Sequence, residues 1–240
     1  AWISSMHSQA ASDKAYQTNI NLLANKKGMA TTRYCEGCHA PIALINGQLT
    51  KGGKHGGIPK QAAHIEGVSC MSCHGIDKII HLRGVGSYRF TPQNDYLFAD
   101  RDGVLPTKIH NFLIRIHPQE HRQNMARTVL RNPQMCGTCH AQFMDKDVNG
   151  WGWVKMQDDY TAWLNGPYSR QREQAFAHEQ VTRCQDCHMP LLPAVDPSAD
   201  VKGLVRSHHF PGANTAIPAV TGDTEQLRLV KDFLRTGKVR

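Results

Sequence analysis

The stretch "RCQDCHMP", residues 183–190, decides how the whole chain is read. Cys184 and Cys187 stand three apart, and His188 follows the second cysteine with no gap. The arrangement recurs as "CEGCH" (35–39), "CMSCH" (70–74) and "CGTCH" (136–140), and the four copies use all 8 cysteines of the 240-residue chain. Two thiols on one helical turn suit the two vinyl groups of a haem, to which they add as thioethers, and the next histidine is then directed at the iron. Zinc would explain paired C-x-x-C groups but not a histidine after every second cysteine. Neither a disulfide framework nor a thioredoxin-like pair needs that histidine. Four haem c groups are therefore expected, attached through Cys35 and Cys38, Cys70 and Cys73, Cys136 and Cys139, and Cys184 and Cys187. His39, His74, His140 and His188 are the expected proximal iron ligands.

The first cysteines of successive motifs lie 35, 66 and 48 residues apart, so few residues surround each haem. Such segments cannot build much apolar core by themselves. The expected fold is mainly α with long loops and little β, the chain wrapped around a packed haem array. A single multihaem domain over 1–240 is expected, divisible into sub-units 1–131 and 132–240 with two motifs each. The abrupt opening "AWISSMHS" reads as that of a fragment of a longer chain.

The formal net charge of +8 would ordinarily suggest an acidic partner such as nucleic acid. Four haems bring about eight propionate charges, with which lysines and arginines can pair. The basic residues are also scattered rather than run together, so no nucleic-acid partner is expected. No apolar run approaches the ~20 residues of a membrane-spanning helix. Haem is attached outside the cytoplasm, which makes a periplasmic or extracellular location the expectation.

Local patterns predict short helices: one over 4–25, one over 119–131 ended by Asn132-Pro133, one or two over 157–180 interrupted at Gly166-Pro167, and an amphipathic one over 223–236. A small hairpin is predicted over 42–49 around Asn46-Gly47, and an extended loop over 189–200. Two internal echoes suggest a duplicated unit. "AHIEGVSC" (63–70) and "AHEQVTRC" (177–184) each place a histidine six residues before a first cysteine. "WISSMHS" (2–8) and "WLNGPYS" (163–169) share a frame in which Tyr168 stands where His7 does.

Each iron has a sixth position, which sets the chemistry: histidine there gives a low-potential carrier, methionine raises the potential, and an open position binds small molecules. Of 14 histidines, ten remain after the proximal four: His7, His55, His64, His81, His110, His117, His121, His178, His208 and His209. Most lone histidines are solvated or capping residues. His64 and His178 gain from their shared spacing, His81 from its apolar setting in "IDKIIHLRG", and His121 from its helix toward Cys136. His208 and His209 stand where a returning chain would cover a haem, and His55 ranks lowest.

The run "CEGCHAPIALINGQLTKGG…EGVSCMSCHG" resembles the multihaem cytochromes related to the tetrahaem electron acceptor of hydroxylamine oxidoreductase. "AWISSMHSQA" resembles the helix that carries a distal histidine in that family, so the resemblance makes His7 a ligand to a haem other than its nearest in sequence, and His81 another distal ligand. "CQDCHMP…RSHHF" is similar to a C-terminal haem segment of larger multihaem cytochromes, which favours His208 over His209. The distal candidates are thus His7, His64, His81, His121, His178 and His208.

An electron carrier of four mostly bis-histidine, low-potential haems is the favoured reading, with no catalytic residue. Its partners are a redox donor and acceptor, other cytochrome subunits, or copies of itself. One open haem would instead suit an oxidoreductase acting on small nitrogen or sulfur compounds. Surplus histidines would also allow a haem-wire subunit of an assembly or filament.

Overall fold

The computed structural model describes residues 1–47, 66–84, 86–91, 97–98, 101–169, 181–195 and 199–237. A 3-10 turn, Trp2–Ser4, leads into α1 (Met6–Gln9). The single helix expected over 4–25 is broken here, because the Asp13 carboxylate accepts from the Tyr16 amide and caps a fresh start, α2 (Lys14–Lys27). Lys26 and Lys27 face the negative end of the α2 dipole. Gly28, at φ 83°, then reverses the chain so that α3 (Met29–His39) packs back on α2 and carries the first motif in its last turns.

The hairpin expected around Asn46-Gly47 does not form. Residues Pro41–Ile45 make a short helix, α4. Proline is suited to a first helical position, where its missing N–H costs nothing, and Asn46-Gly47 ends the helix instead of turning two strands. Residues 48 and 49 of that hairpin lie outside the described residues.

The other three motifs share one construction. The second motif is a single-turn helix, α5 (Cys70–His74), and β1 (Ile76–Ile79) follows at once. It pairs antiparallel with β2 (Tyr88–Phe90), Ile76 opposite Phe90 and Ile79 opposite Tyr88. Next come α6 (Val104–Ile116), which the sequence reading did not anticipate, and α7 (Pro118–Met125). The helix expected over 119–131 stops at Met125, and Thr128–Arg131 is a separate 3-10 turn.

Asn132 caps α8 (Pro133–Gly137), which holds the start of the third motif. β3 (Ala141–Met144) follows His140 directly, and α9 (Lys146–Asn149) fills the connection to β4 (Val154–Asp158). Their register sets Ala141 opposite Asp158. α10 (Asp159–Asn165) ends before Gly166-Pro167, as expected, although its predicted start at 157 is strand. The fourth motif is α11 (Cys184–His188), and β5 (Leu191–Pro193), inside the predicted loop, pairs with β6 (Leu204–Arg206). α12 (Ala216–Thr221) and the expected C-terminal helix, α13 (Thr224–Arg235), complete the described chain. The architecture is mainly α with three two-stranded antiparallel ribbons.

The buried apolar side chains among the described residues are few and mostly small: Ala11, Ile20, Ala24, Ala40, Ala43, Ile76, Ala141 and Val230. Polar bonds do much of the joining between motifs. The Tyr88 hydroxyl donates to the Gly37 carbonyl of the first motif (2.9 Å), and the Gly86 amide donates to the Thr138 carbonyl of the third (3.0 Å). The start of β2 and the residues just before it thereby tie three motifs together.

The echo between "WISSMHS" and "WLNGPYS" is also an echo in bonding. Trp2 Nε1 donates to the Val68 carbonyl and Trp163 Nε1 to the Thr182 carbonyl, each at 2.8 Å and each two residues before a first cysteine. The Val68 amide donates to the His7 carbonyl at 2.8 Å, and the Thr182 amide to the Tyr168 carbonyl at 3.0 Å. Ser8 and Ser169 each turn their hydroxyls back onto a carbonyl five residues earlier, Ile3 and Leu164.

Candidate functional site

No disulfide joins any two of the eight cysteines, and those of different motifs meet. The Cys38 thiol donates to the Cys139 sulfur, which raises the Cys38 pKa and lowers that of Cys139. Cys136 donates likewise to Cys184, with the same pair of directions. Burial pushes Cys73 up to about 12 and Cys35 up to about 11. The first motif thus adjoins the third, and the third adjoins the fourth.

The histidine that ends each motif has its Nδ1 against an oxygen. His39 faces the Ala10 carbonyl (3.2 Å), His74 that of Met125 (2.6 Å), His188 that of Pro211 (2.7 Å), and His140 the Asp159 carboxylate (3.1 Å). An oxygen acceptor fixes the proton of a neutral imidazole on Nδ1 and leaves the Nε2 lone pair for a metal. β4 runs back to Asp159 and the segment beyond β6 runs back to Pro211, whereas Ala10 and Met125 come from 29 and 51 residues away. Arg127 donates to the carbonyls of Gly75 and Thr91 beside the second motif, and Arg206 to those of Gln185 and Met189 beside the fourth.

Two of the expected distal histidines face motif histidines. The rings of His7 and His140 have centroids 6.1 Å apart at 77°, and those of His74 and His208 lie 6.3 Å apart at 29°. Imidazoles on opposite sides of one metal have centroids about 6 Å apart, given metal–nitrogen bonds of about 2 Å and a nitrogen about 1 Å from its ring centre. Burial, and then the charges of His140, His188 and His208, lower the His7 pKa to about 4. His7 is therefore neutral near pH 7, the state a ligand requires. His208 is lowered as well, chiefly by burial.

The remaining candidates are placed differently. His81 is exposed just beyond β1, and its Nδ1 accepts from the Arg83 amide (3.2 Å). His121 lies half-buried on α7. His64 and His178 lie outside the described residues, as does His55. His209 gives its Nδ1 proton to the buried Gln226 (3.0 Å), whose amide donates back to the His209 carbonyl (2.9 Å). Among the described residues no cluster of three or more His, Cys, Asp or Glu is arranged to hold a bare metal ion.

The donor set fits haem c: paired thiols one turn apart, an imidazole beside them whose Nδ1 meets an oxygen, and two further imidazoles whose rings lie about 6 Å from motif histidines. Sequence reasoning missed the Nδ1 acceptors. Three are carbonyls, which carry no residue signature, and Asp159 is recognisable only once β4 is placed beside β3.

The family model of cytochrome c554 and c-prime matches residues 1–75, a span that holds His7 and the first two motifs. No curated protein and no solved structure matches the chain. No described helix is long and apolar enough to cross a membrane. The match, on the stretch whose two C-x-x-C-H turns carry the resemblance, supports a c-type cytochrome that binds haem c and transfers electrons.

Proposed function

We propose that this chain is a tetrahaem electron carrier acting as one domain outside the cytoplasm. The carrying observation is the facing of His7 with His140 and of His74 with His208, at 6.1 and 6.3 Å. The four cysteine pairs hold the haems covalently, and His39, His74, His140 and His188 are the proximal ligands. His7 completes the coordination of the third motif's haem and His208 that of the second. The distal ligands of the first and fourth come from His64, His81, His121 and His178.

Bound haem iron supplies a one-electron couple; the protein supplies its setting. The Nδ1 acceptors fix ring tautomer and orientation, so ligand geometry is in place in both oxidation states. A histidine as second ligand to each haem would keep the potentials low. The nearness of Cys38 to Cys139 and of Cys136 to Cys184 brings the attachment points of the first, third and fourth haems together, which favours electron passage from one to the next. The partners are a redox donor and acceptor.

Intact mass after acid–acetone extraction tests the reading. A mass above the polypeptide by four haems is expected, with low-spin iron predominating in the visible and paramagnetic resonance spectra. A mass equal to that of the polypeptide, or bound zinc without haem, overturns it.

A further inference from the structure

Asp159 sets the third motif apart. Three motif histidines give their Nδ1 protons to neutral main-chain carbonyls, those of Ala10, Met125 and Pro211. His140 alone among the four has a carboxylate there, Asp159 Oδ2 at 3.1 Å. The placement is built into the ribbon. Ala141 pairs with Asp158, and the Asp159 amide donates to the His140 carbonyl at 2.9 Å. Gln157 Nε2 donates to the same carboxylate oxygen at 2.7 Å and holds it in line.

A carbonyl offers a dipole, whereas a carboxylate offers a full negative charge. Bonds to charged acceptors are about twice as strong as neutral ones. A stronger acceptor at Nδ1 draws that proton away and makes Nε2 a stronger donor to its metal, which favours the ferric over the ferrous state. The Asp159 side chain is 64% exposed, so water keeps it ionised without help from a buried partner.

We propose that Asp159 is a potential-setting residue which, acting through His140, lowers the midpoint potential of the third motif's haem. The inference rests on the proposed haem at that motif. It means that this haem is held back as an electron acceptor relative to the state it would have with a carbonyl partner. His140 remains the ligand, and Asp159 is a positioning residue that touches only the imidazole.

The test is spectroelectrochemical titration of the mature protein and of Asp159→Asn. The amide keeps an oxygen acceptor but loses the charge. One of the four midpoints should rise, by about 59 mV, a tenfold change in the reduced-to-oxidised ratio for one electron. The other three should stay in place, and Asp159→Glu should restore the wild-type value. If the asparagine variant fails to mature, Asp159→Ser supplies a neutral acceptor at the same helix start. Unchanged midpoints in a variant with four attached low-spin haems overturn the inference and leave the carrier reading standing. Failure of the wild-type chain to attach haem overturns the carrier reading instead, and the mass measurement reveals that first.

Discussion

The buried Gly67 backs directly onto the carbonyl of His7, so closely that a Cβ at Gly67 would overlap that oxygen. Its φ of 68° is one that other residues rarely adopt. Two constraints, one steric and one conformational, thus converge on the residue that seats His7.

Gly67→Ala should therefore destabilise the protein by about 1–3 kcal/mol, the usual cost of a residue held in a sparsely populated conformation. Chemical denaturation measures this loss. The same variant should loosen one haem's distal coordination, seen as partial high-spin character, because the overlap pushes on His7 itself.

Replacing His7 by alanine should convert one haem to high spin, or admit a foreign ligand, and leave the others low-spin. Tyr168→Phe should leave all four low-spin, since a phenol with a reference pKa near 10 is a poor ligand unless ionised. Paramagnetic resonance separates the two variants. A silent His7→Ala together with a lost ligand band in Tyr168→Phe would refute the assignment.

His208→Ala and His209→Ala should part company. The first should open the haem on His74 and allow carbon monoxide to bind the reduced protein. The second should leave carbon monoxide binding as in the wild type and instead cost about 1–3 kcal/mol of stability, because the buried Gln226 oxygen loses its donor.

Trp2→Phe and Trp163→Phe should each cost about 1 kcal/mol, the net worth of one hydrogen bond, since both indoles make the same bond to a carbonyl two residues before a motif. Similar losses from the two substitutions, read from denaturation midpoints, would agree with a duplicated unit. A loss confined to one of them would speak against it.

Asp77 gives a pH dependence. Hydrogen bonds from Arg89 on β2 hold its carboxyl at about 2, against an ordinary 3.8. A lowered carboxylate pKa stabilises the folded state above about pH 4, and that contribution is lost as the pH falls toward 2. The gap in stability between wild type and Asp77→Asn should close over that window. A gap that stays constant from pH 5 to pH 2 would show that the pair plays no part.

The local shape of the C-x-x-C-H turns was the legible part of the sequence. C-x-x-C-H is a local pattern, and in α5 and α11 one short helix spans the whole motif. Helix α13 was legible because Leu227, Val230, Phe233 and Leu234 repeat at helical spacing. Residues 41–47 misled because Asn-Gly suggests a hairpin only when strands flank it, and Pro41 had already committed the chain to a helix. Helix α6 was missed although Leu105, Ile109, Phe112 and Ile116 are nearly in phase; Leu105, Phe112 and Ile116 are largely exposed, and nothing in the sequence marks what they meet. The partners of His7 and His208 could not be read, since each facing histidine belongs to a distant segment.

The same distance has a consequence for biogenesis. On the proposed pairing, the second motif is made early in N-to-C synthesis, but its second histidine, His208, comes only after the fourth motif. Bringing His208 to His74 requires the C-terminal segment to fold back so that β6 pairs with β5. A chain clipped before His208 would lack the second histidine proposed for that motif. Completion of the last ribbon is therefore the folding step on which the second motif's proposed site depends.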